Sequence, residues 1–221
     1  MPTTPPAARP FVPDRVLERA LQRSGYARIA GVDEVGRGPL AGPVVAAAVV
    51  LPVRSPRWVA DLRDSKALTA GARERLASAI RAQCACGVGV VSAQVIDQIG
   101  IGHATRLAMV RAIDALPGAP PDALIIDGRA RAAHPAEQRA VVGGDARCSA
   151  VAAASIVAKV VRDAMLRALD ERFPGYGFTR HTGYGTAEHL AALRGLGYST
   201  AHRLSFRPVR EALARRDASA R

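Results

Sequence analysis

The pattern of apolar and polar positions along the chain predicts an α/β protein. Short apolar runs rich in Val, Ile and Ala alternate with longer stretches in which apolar residues recur every three or four positions. The first pattern is typical of buried strands and the second of helices. The predicted strands are residues 28–32, 44–51, 87–91, 123–126 and 140–142. The predicted helices are residues 14–23, 70–82 with Thr69 as the cap, 104–116 and 149–171.

Carboxylates stand near the ends of three predicted strands. Asp33 and Glu34 follow the first strand, Asp127 follows the fourth, and Asp145 follows the fifth. Open α/β sheets bind ligands at strand ends, and neighbouring carboxylates repel one another unless cations lie between them. Oxygen ligands favour Mg²⁺ or Mn²⁺. A single aspartate at a strand end is more often a turn or capping residue, so the metal site depends on the four carboxylates converging.

The connection between the first two strands, residues 33–43, is predicted as a glycine-rich loop. Gly36, Arg37 and Gly38 suggest a phosphate neighbour. The pattern G-x-G-x-x-A over residues 36–41 also fits a dinucleotide-binding turn, but that turn must open a helix. Here Pro39, Gly42 and Pro43 lead directly into a strand, which disfavours nucleotide binding.

Composition favours a polyanionic partner. The 221 residues carry a net charge of +12, and a basic surface gains affinity for nucleic acid by releasing counterions, although an arginine-rich proteome would give the same charge. The three cysteines are too few and odd in number for a disulfide framework, as expected in a reducing cytoplasm. No run approaches the roughly 18 apolar residues of a membrane span. Residues 1–13 lack the features of a secretory signal and are predicted to be a disordered tail.

Seven segments resemble the bacterial ribonuclease HII family. They are residues 33–44 (DEVGRGPLAGPV), 64–69 (DSKALT), 124–128 (LIIDG), 144–145 (GD), 152–163 (AAASIVAKVVRD), 175–186 (GYGFTRHTGYGT) and 202–206 (HRLSF). The resemblance implies an RNase H-like fold with a mixed sheet flanked by helices and a C-terminal helical extension. It also implies cleavage of the RNA strand of RNA/DNA hybrids, and cleavage 5′ of a ribonucleotide embedded in duplex DNA that leaves a 3′-hydroxyl and a 5′-phosphate.

The resemblance assigns roles residue by residue. Its four metal-binding and catalytic carboxylates fall on Asp33, Glu34, Asp127 and Asp145, with Mn²⁺ or Mg²⁺ as the cofactor. Its substrate-binding positions fall on Gly36, Arg37, Gly38, Ser65, Lys66 and Tyr184. The glycine-arginine-glycine loop reads the 2′-hydroxyl largely through backbone atoms, and the tyrosine stacks beside the RNA–DNA junction. The resemblance further implies a role in removing ribonucleotides misincorporated into DNA.

Other positions qualify this interpretation. Lys159 and Asp163 lie one helical turn apart and are predicted to pair, in a structural role behind the site. Gly143 and Thr182 replace lysines that are frequent in the family, so affinity for substrate is expected to be lower unless Arg147 or Arg180 compensates.

The catalytic domain is predicted to span residues 14–210, followed by a basic tail at 211–221, and to act as a monomer. A nucleic-acid-binding module without catalysis and a DNA nuclease of the same fold are the alternative functions. Retention of all four carboxylates disfavours the first, and the junction-reading positions disfavour the second.

Overall fold

A mixed five-stranded sheet flanked by helices forms the centre of the protein. The computed structural model describes residues 12–219. Its strands are β1 (Ile29–Val35), β2 (Val44–Val50), β3 (Ala85–Val91), β4 (Ala123–Asp127) and β5 (Glu137–Val141). Its helices are α1 (Val16–Arg23), α2 (Ala70–Gln83), α3 (Ala93–Asp114), α4 (Gly144–Arg147), α5 (Ser149–Arg172), α6 (Phe178–His181), α7 (Ala187–Leu196) and α8 (Arg207–Ser219), with a short 3-10 helix at Arg57–Asp61.

The strand order brings two of the carboxylate-bearing strands side by side. The order is β3-β2-β1-β4-β5, with β1 antiparallel to β2 and parallel to β4. Val32 of β1 is paired in register with Ile126 of β4. The residues that follow them, Asp33 and Asp127, therefore lie side by side toward the C-terminal ends of these two parallel strands. The predicted α/β class and mixed sheet are therefore confirmed.

Asp33 and Glu34 belong to β1 and not to the loop that the sequence pattern predicts. They pair with Ala47 and Ala46 of β2, so the strand continues through Val35 and the connection begins at Gly36. The backbone of both carboxylates is therefore held by the sheet. The loop prediction was wrong here because a polar pair at the end of an apolar run interrupts the pattern without interrupting the pairing.

Two other boundaries also differ from prediction. Strand β5 begins at Glu137, three residues before the predicted run, because its polar residues pair with β4 along its whole length. Helix α3 begins at Ala93, well before the predicted residue 104. It contains a kink at Gly100, whose φ of 77° lies outside the helical region and interrupts the periodic pattern.

Close packing of helices on the sheet depends on small residues. Helix α5 lies over β1 so closely that a Cβ on Gly31 would be 2.2 Å from the carbonyl carbon of Ala150. On the other face, a Cβ on Gly87 or Gly89 would be 2.0 Å from a backbone oxygen of α3. Any larger side chain at these positions would push a helix away, since protein interiors have no room to absorb it. Helices packed on both faces therefore support the part of the sheet that carries Asp33.

The two predicted terminal tails differ in how far the structure describes them. Residues 1–11 of the predicted N-terminal tail lie outside the described residues. Helix α8 runs across the predicted domain boundary at residue 210. Among residues 12–219, no helix has the length and apolar character needed to span a membrane.

Candidate active site

Asp33, Glu34 and Asp127 form an acidic group at the end of the central strands. Asp33 is buried, with 7% of its surface exposed. Burial raises the pKa of its carboxyl well above the ordinary value, and the charges of Glu34 and Asp127 raise it further. Burial, and then the charge of Asp127, also raise the pKa of Glu34, although Arg37 opposes this shift from 3.4 Å. The three carboxyls are thus close enough to feel one another's charge.

Asp145 joins this group through Asp127. It lies on the short helix α4 and not at a strand end, because β5 stops at Val141. An oxygen of Asp127 accepts a 2.7 Å hydrogen bond from the backbone N–H of Gly144, which ties the two segments together. Burial raises the pKa of Asp145, as do the charges of Asp127 and Asp64, while Lys66 lowers it. All four predicted carboxylates therefore lie in one electrostatic neighbourhood.

The donor set suits a hard divalent cation. One oxygen of Glu34, Oε2, is buried and has no hydrogen-bond partner within the described structure. Among residues 12–219, no group of three or more His, Cys, Asp or Glu side chains is close enough to enclose a metal ion by itself. The described side chains therefore do not surround a metal ion completely and would leave part of its coordination to other ligands. Mg²⁺ is commonly held in this way, by one or two carboxylates with waters and substrate phosphates completing its coordination.

Ser65 supports Asp33 from behind. Its side chain is buried, and its hydroxyl lies 3.0 Å from the hydroxyl of Ser155 on α5. Ser155 in turn hydrogen-bonds the carboxyl of Asp33 and lowers its pKa, against the larger effect of burial. The Ser65 side chain therefore faces inward toward Ser155, and its assignment as a substrate-binding residue stays a prediction. Lys66, the next residue, is exposed beside Asp145.

The loop after β1 is held by two buried arginines. Gly36 adopts a φ of 93°, and a Cβ there would lie 2.2 Å from the Nε of Arg162. Arg162 donates hydrogen bonds to the carbonyl oxygens of Ala41, Pro43 and Thr182. Burial lowers the pKa of this guanidinium to about 10, so it stays charged at neutral pH.

Arg203 holds the same loop over a greater length. Its guanidinium donates to the carbonyl oxygens of Gly36, Arg37, Pro39 and Gly42 at 2.6–3.0 Å. The side chain is fully buried, and burial lowers its pKa to about 9. Sequence reasoning placed Arg162 and Arg203 in family-like segments and gave neither a role. Polar or charged residues lie next to both arginines in the sequence, so no local signal marked either as buried.

Gly38 and Tyr184 lie against each other. A Cβ on Gly38 would be 3.3 Å from a ring carbon of Tyr184, whose side chain is 50% exposed. The backbone N–H of Leu40 donates to the carbonyl of Gly183 at 2.7 Å, which joins the two loops. The structure therefore brings together the glycine-rich loop and the tyrosine, which lie far apart in sequence.

The remaining predicted positions lie around this centre. Lys159 and Asp163 form an ion pair at 2.5 Å, as predicted, with both side chains 21% exposed. Arg180, one of the two candidates to replace the missing lysines, is engaged by Glu188 in a surface ion pair. Thr182 has a left-handed φ of 48°, and Gly143 a φ of 66°.

Comparison with known proteins identifies relatives over nearly the whole chain. A family model described as Ribonuclease HII matches residues 30–209. A Ribonuclease HII from Chloroflexus aurantiacus is 53% identical over 207 residues, which cover 92% of this chain and 97% of the relative. A Ribonuclease HII from Rhodospirillum rubrum is 54% identical over 209 residues, covering 92% and 93%.

Solved structures agree with the sequence relatives. The ribonuclease H2 of Pyrococcus horikoshii superimposes with a TM-score of 0.74 at 26% identity, covering 86% of this chain and 99% of that one. The RNase HII of Archaeoglobus fulgidus, solved in a complex with PCNA, gives a TM-score of 0.68 at 26% identity, covering 82% and 96%. The predicted RNase H-like fold is confirmed. With the family model covering most of the chain and relatives at about 50% identity, the protein belongs to the ribonuclease HII family of nucleases, which act on RNA/DNA hybrids with divalent metal ions.

Proposed function

We propose that this protein, besides acting on RNA/DNA hybrids, cleaves duplex DNA 5′ of an embedded ribonucleotide. The products would carry a 3′-hydroxyl and a 5′-phosphate, and the biological role would be removal of misincorporated ribonucleotides from DNA in the cytoplasm. The observation that carries this proposal is the contact between Gly38 and Tyr184 at the end of the loop that follows Asp33 and Glu34. The two residues would together form the surface that recognises the sugar at the junction.

Waters and substrate phosphates would complete the coordination of two metal ions shared among the four carboxylates Asp33, Glu34, Asp127 and Asp145. Two Mg²⁺ or Mn²⁺ ions, when bound, would supply activation of a water and stabilisation of the leaving 3′-oxygen. The raised pKa values of Asp33, Glu34 and Asp145 support this role, because burial and neighbouring negative charge make these three carboxyls unfavourable as free anions and a cation relieves that cost. Lys66, exposed beside Asp145, is suited to a substrate phosphate.

Recognition of the junction would come from the loop backbone. A side chain on Gly38 would intrude on Tyr184, so glycine keeps the surface open for a sugar. The 2′-hydroxyl both donates and accepts hydrogen bonds, which makes it the group that separates RNA from DNA. We expect Tyr184 to stack on the neighbouring deoxyribose, where a second 2′-hydroxyl would be crowded.

The charge of +12 supports a nucleic-acid duplex as the partner of a monomeric enzyme. A binding module without catalysis is disfavoured, because buried carboxylates beside a phosphate backbone would weaken binding. A DNA nuclease is disfavoured by the glycine loop and Tyr184, which have no 2′-hydroxyl to read in pure DNA.

A cleavage assay on three matched duplexes tests the proposal. One duplex contains a single ribonucleotide, one an all-RNA strand, and one only DNA. We expect metal-dependent cleavage of the first two, abolished by EDTA, and none of the third. Asp127→Asn should lower turnover by orders of magnitude while leaving duplex binding intact, because it removes a ligand charge without changing shape.

Two further variants address junction recognition. Tyr184→Ala and Gly38→Ala should reduce cleavage of the single-ribonucleotide duplex more than cleavage of the hybrid. Equal losses on both duplexes would contradict the recognition part of the proposal. Near-normal cleavage by Asp127→Asn would contradict the metal part.

A further inference from the structure

Three buried histidines lie directly behind the loop that carries Tyr184. His181, His189 and His202 are each less than 9% exposed. The rings of His181 and His189 are stacked with centroids 4.5 Å apart, and Phe178 packs against all three. Nothing in the cleavage chemistry proposed above uses these rings, so their exact arrangement calls for another explanation.

The hydrogen bonds determine where the proton of each ring lies. Nδ1 of His189 lies 2.9 Å from the carbonyl oxygen of Tyr184, which can only accept, so this nitrogen carries the proton. The Nε2 of His189 is then an acceptor, and it accepts a hydrogen bond from the Nε2–H of His202 at 3.0 Å. Nδ1 of His202 accepts from the backbone N–H of Ser199, also at 3.0 Å. His189 and His202 therefore hold opposite tautomers, each of which requires the other.

His181 completes the arrangement on the other side of Tyr184. Its Nε2 donates to the carbonyl of Tyr176 at 2.8 Å, and its Nδ1 accepts from the backbone N–H of Gly183 at 3.2 Å. Its own carbonyl accepts from the backbone N–H of Tyr184. Both ring nitrogens of all three histidines are thus committed. No ring nitrogen is left free to bind a metal or to transfer a proton to substrate.

We propose that His189, oriented by His202, is a positioning residue that sets the preference for an RNA–DNA junction by fixing the peptide of Tyr184. The inference rests on the proposed role of Tyr184. The ring of Tyr184 is half exposed, so its placement depends on its backbone, and Gly183 and Thr182 before it have left-handed φ values of 81° and 48°. A loop of this kind needs hydrogen bonds from outside to hold one conformation. Burial favours the neutral rings of His189 and His202, lowering the pKa of both and that of His202 to about 4.

A pair of amide variants separates positioning from general packing. Asparagine places its amide where Nδ1 of histidine lies, so His189→Asn can still donate to the carbonyl of Tyr184. Glutamine places its amide where Nε2 lies, so His189→Gln keeps a contact with His202 and loses the contact with Tyr184. Both variants remove the ring and its stacking, so both should lower the melting temperature by a similar amount.

The measured quantity is the ratio of kcat/KM on the single-ribonucleotide duplex to kcat/KM on the all-RNA hybrid. We expect His189→Gln to lower this ratio about tenfold, the effect of losing one well-placed hydrogen bond, and His189→Asn to change it little. In a Tyr184→Ala background, neither variant should change the ratio further. An unchanged ratio in His189→Gln, or equal changes in both variants, would overturn the inference.

Two controls keep the inference separate from its premise. If Tyr184→Ala alone leaves the ratio unchanged, the proposed role of Tyr184 fails. If it changes the ratio and His189→Gln does not, only the positioning role fails. Should the variants not fold, nitrogen-15 shifts of the imidazoles in the wild-type protein decide. We expect a proton on Nδ1 of His189 and on Nε2 of His202, and the reverse assignment would overturn the inference.

Discussion

Two regions of the protein bury ionisable groups but differ in how their polar atoms are paired. One is the carboxylate edge, formed by Asp33, Glu34, Asp127 and Asp145. The other is the histidine–arginine cluster, formed by His181, His189, His202 and Arg203. At the carboxylate edge, burial and then neighbouring negative charge raise the pKa of Asp33 and of Glu34, and one oxygen of Glu34 is buried without a hydrogen-bond partner in the described structure. In the cluster, Arg203 and the imidazoles have their polar atoms matched to carbonyls or to one another. Unmatched polar groups are available for a ligand, whereas matched ones stabilise a single geometry. The carboxylate edge thus has the properties of a ligand site, whereas the cluster stabilises one conformation of a loop.

The largest effect should come from Arg203→Ala. The substitution leaves the carbonyls of Gly36, Arg37, Pro39 and Gly42 without their buried donor, so the free energy of unfolding should fall on the order of 4 kcal/mol. Urea denaturation measures this change. Arg207→Ala is the control, because its side chain is exposed on α8, and it should leave the midpoint nearly unchanged. A small loss of stability in Arg203→Ala would show that the hydrogen bonds from Arg203 to the loop carbonyls do not stabilise the fold.

The pH dependence of stability should be smaller and of opposite sign in the two regions. Burial lowers the pKa of His202 in the folded protein from the ordinary histidine value of 6.5 to about 4, so the unfolded chain binds more protons between these two values. Acidification from pH 7 to pH 5 should therefore cost about 1–2 kcal/mol at this residue. His202→Gln keeps a donor toward His189 and cannot take up this proton. In urea titrations at the two pH values, the free energy of unfolding of this variant should fall less on acidification than that of the wild-type protein. An equal fall would contradict the assignment.

Asp33 should behave in the reverse sense. Because its folded pKa is raised, the folded protein binds this proton more tightly than the unfolded chain, and stability falls as the pH rises through the raised pKa. In metal-free protein at pH 7, Asp33→Asn should therefore raise the free energy of unfolding while turnover collapses. The gain should shrink on acidification. Thermal melts in EDTA at pH 7 and pH 5 measure it, and a destabilised variant at pH 7 would contradict the description of the edge.

The smallest effect concerns substrate affinity. Thr182 lines a surface groove with Arg73 and Lys159, so Thr182→Lys should add one phosphate contact and steepen the salt dependence of duplex binding by up to about one unit of slope. Gly143→Lys makes the same change of charge, but its φ of 66° places a lysine in the left-handed region at a cost of roughly 1 kcal/mol. Fluorescence titrations across salt concentrations measure the slope. No change in either variant would mean that these positions do not face the duplex.

Sequence patterns predicted what depends on local order along the chain. The apolar runs of β1, β2 and β4 and the long helix α5 were recognisable, since burial on both faces leaves a continuous apolar signal. Polar strand residues gave no such signal, and the start of β5 was missed for that reason. The gathering of Asp33, Glu34, Asp127 and Asp145 came from family resemblance. Their spacing in sequence carries no information on convergence.

What stayed hidden from the sequence depends on contacts between distant residues. The inward-facing hydroxyl of Ser65 is explained only by Ser155, which lies 90 residues away in the chain. Arg203 acquires its role from carbonyls that belong to a loop near the other end of the chain. No local pattern marks a backbone oxygen as the acceptor of a distant guanidinium, so these roles could not be derived before the fold was known.

The hydrogen bonds from Arg203 to the loop after β1 also bear on when this loop can fold during protein synthesis. Gly42 and Arg203 are separated by 161 positions in the chain. At translation rates of about 5–20 residues per second, Arg203 is synthesised roughly 8–32 s after the loop that it holds. Asp33 and Glu34 are therefore produced early, and the loop beside them receives its clamp near the end of synthesis. A nascent chain would therefore carry Asp33 and Glu34 well before the residue that holds the neighbouring loop has been made.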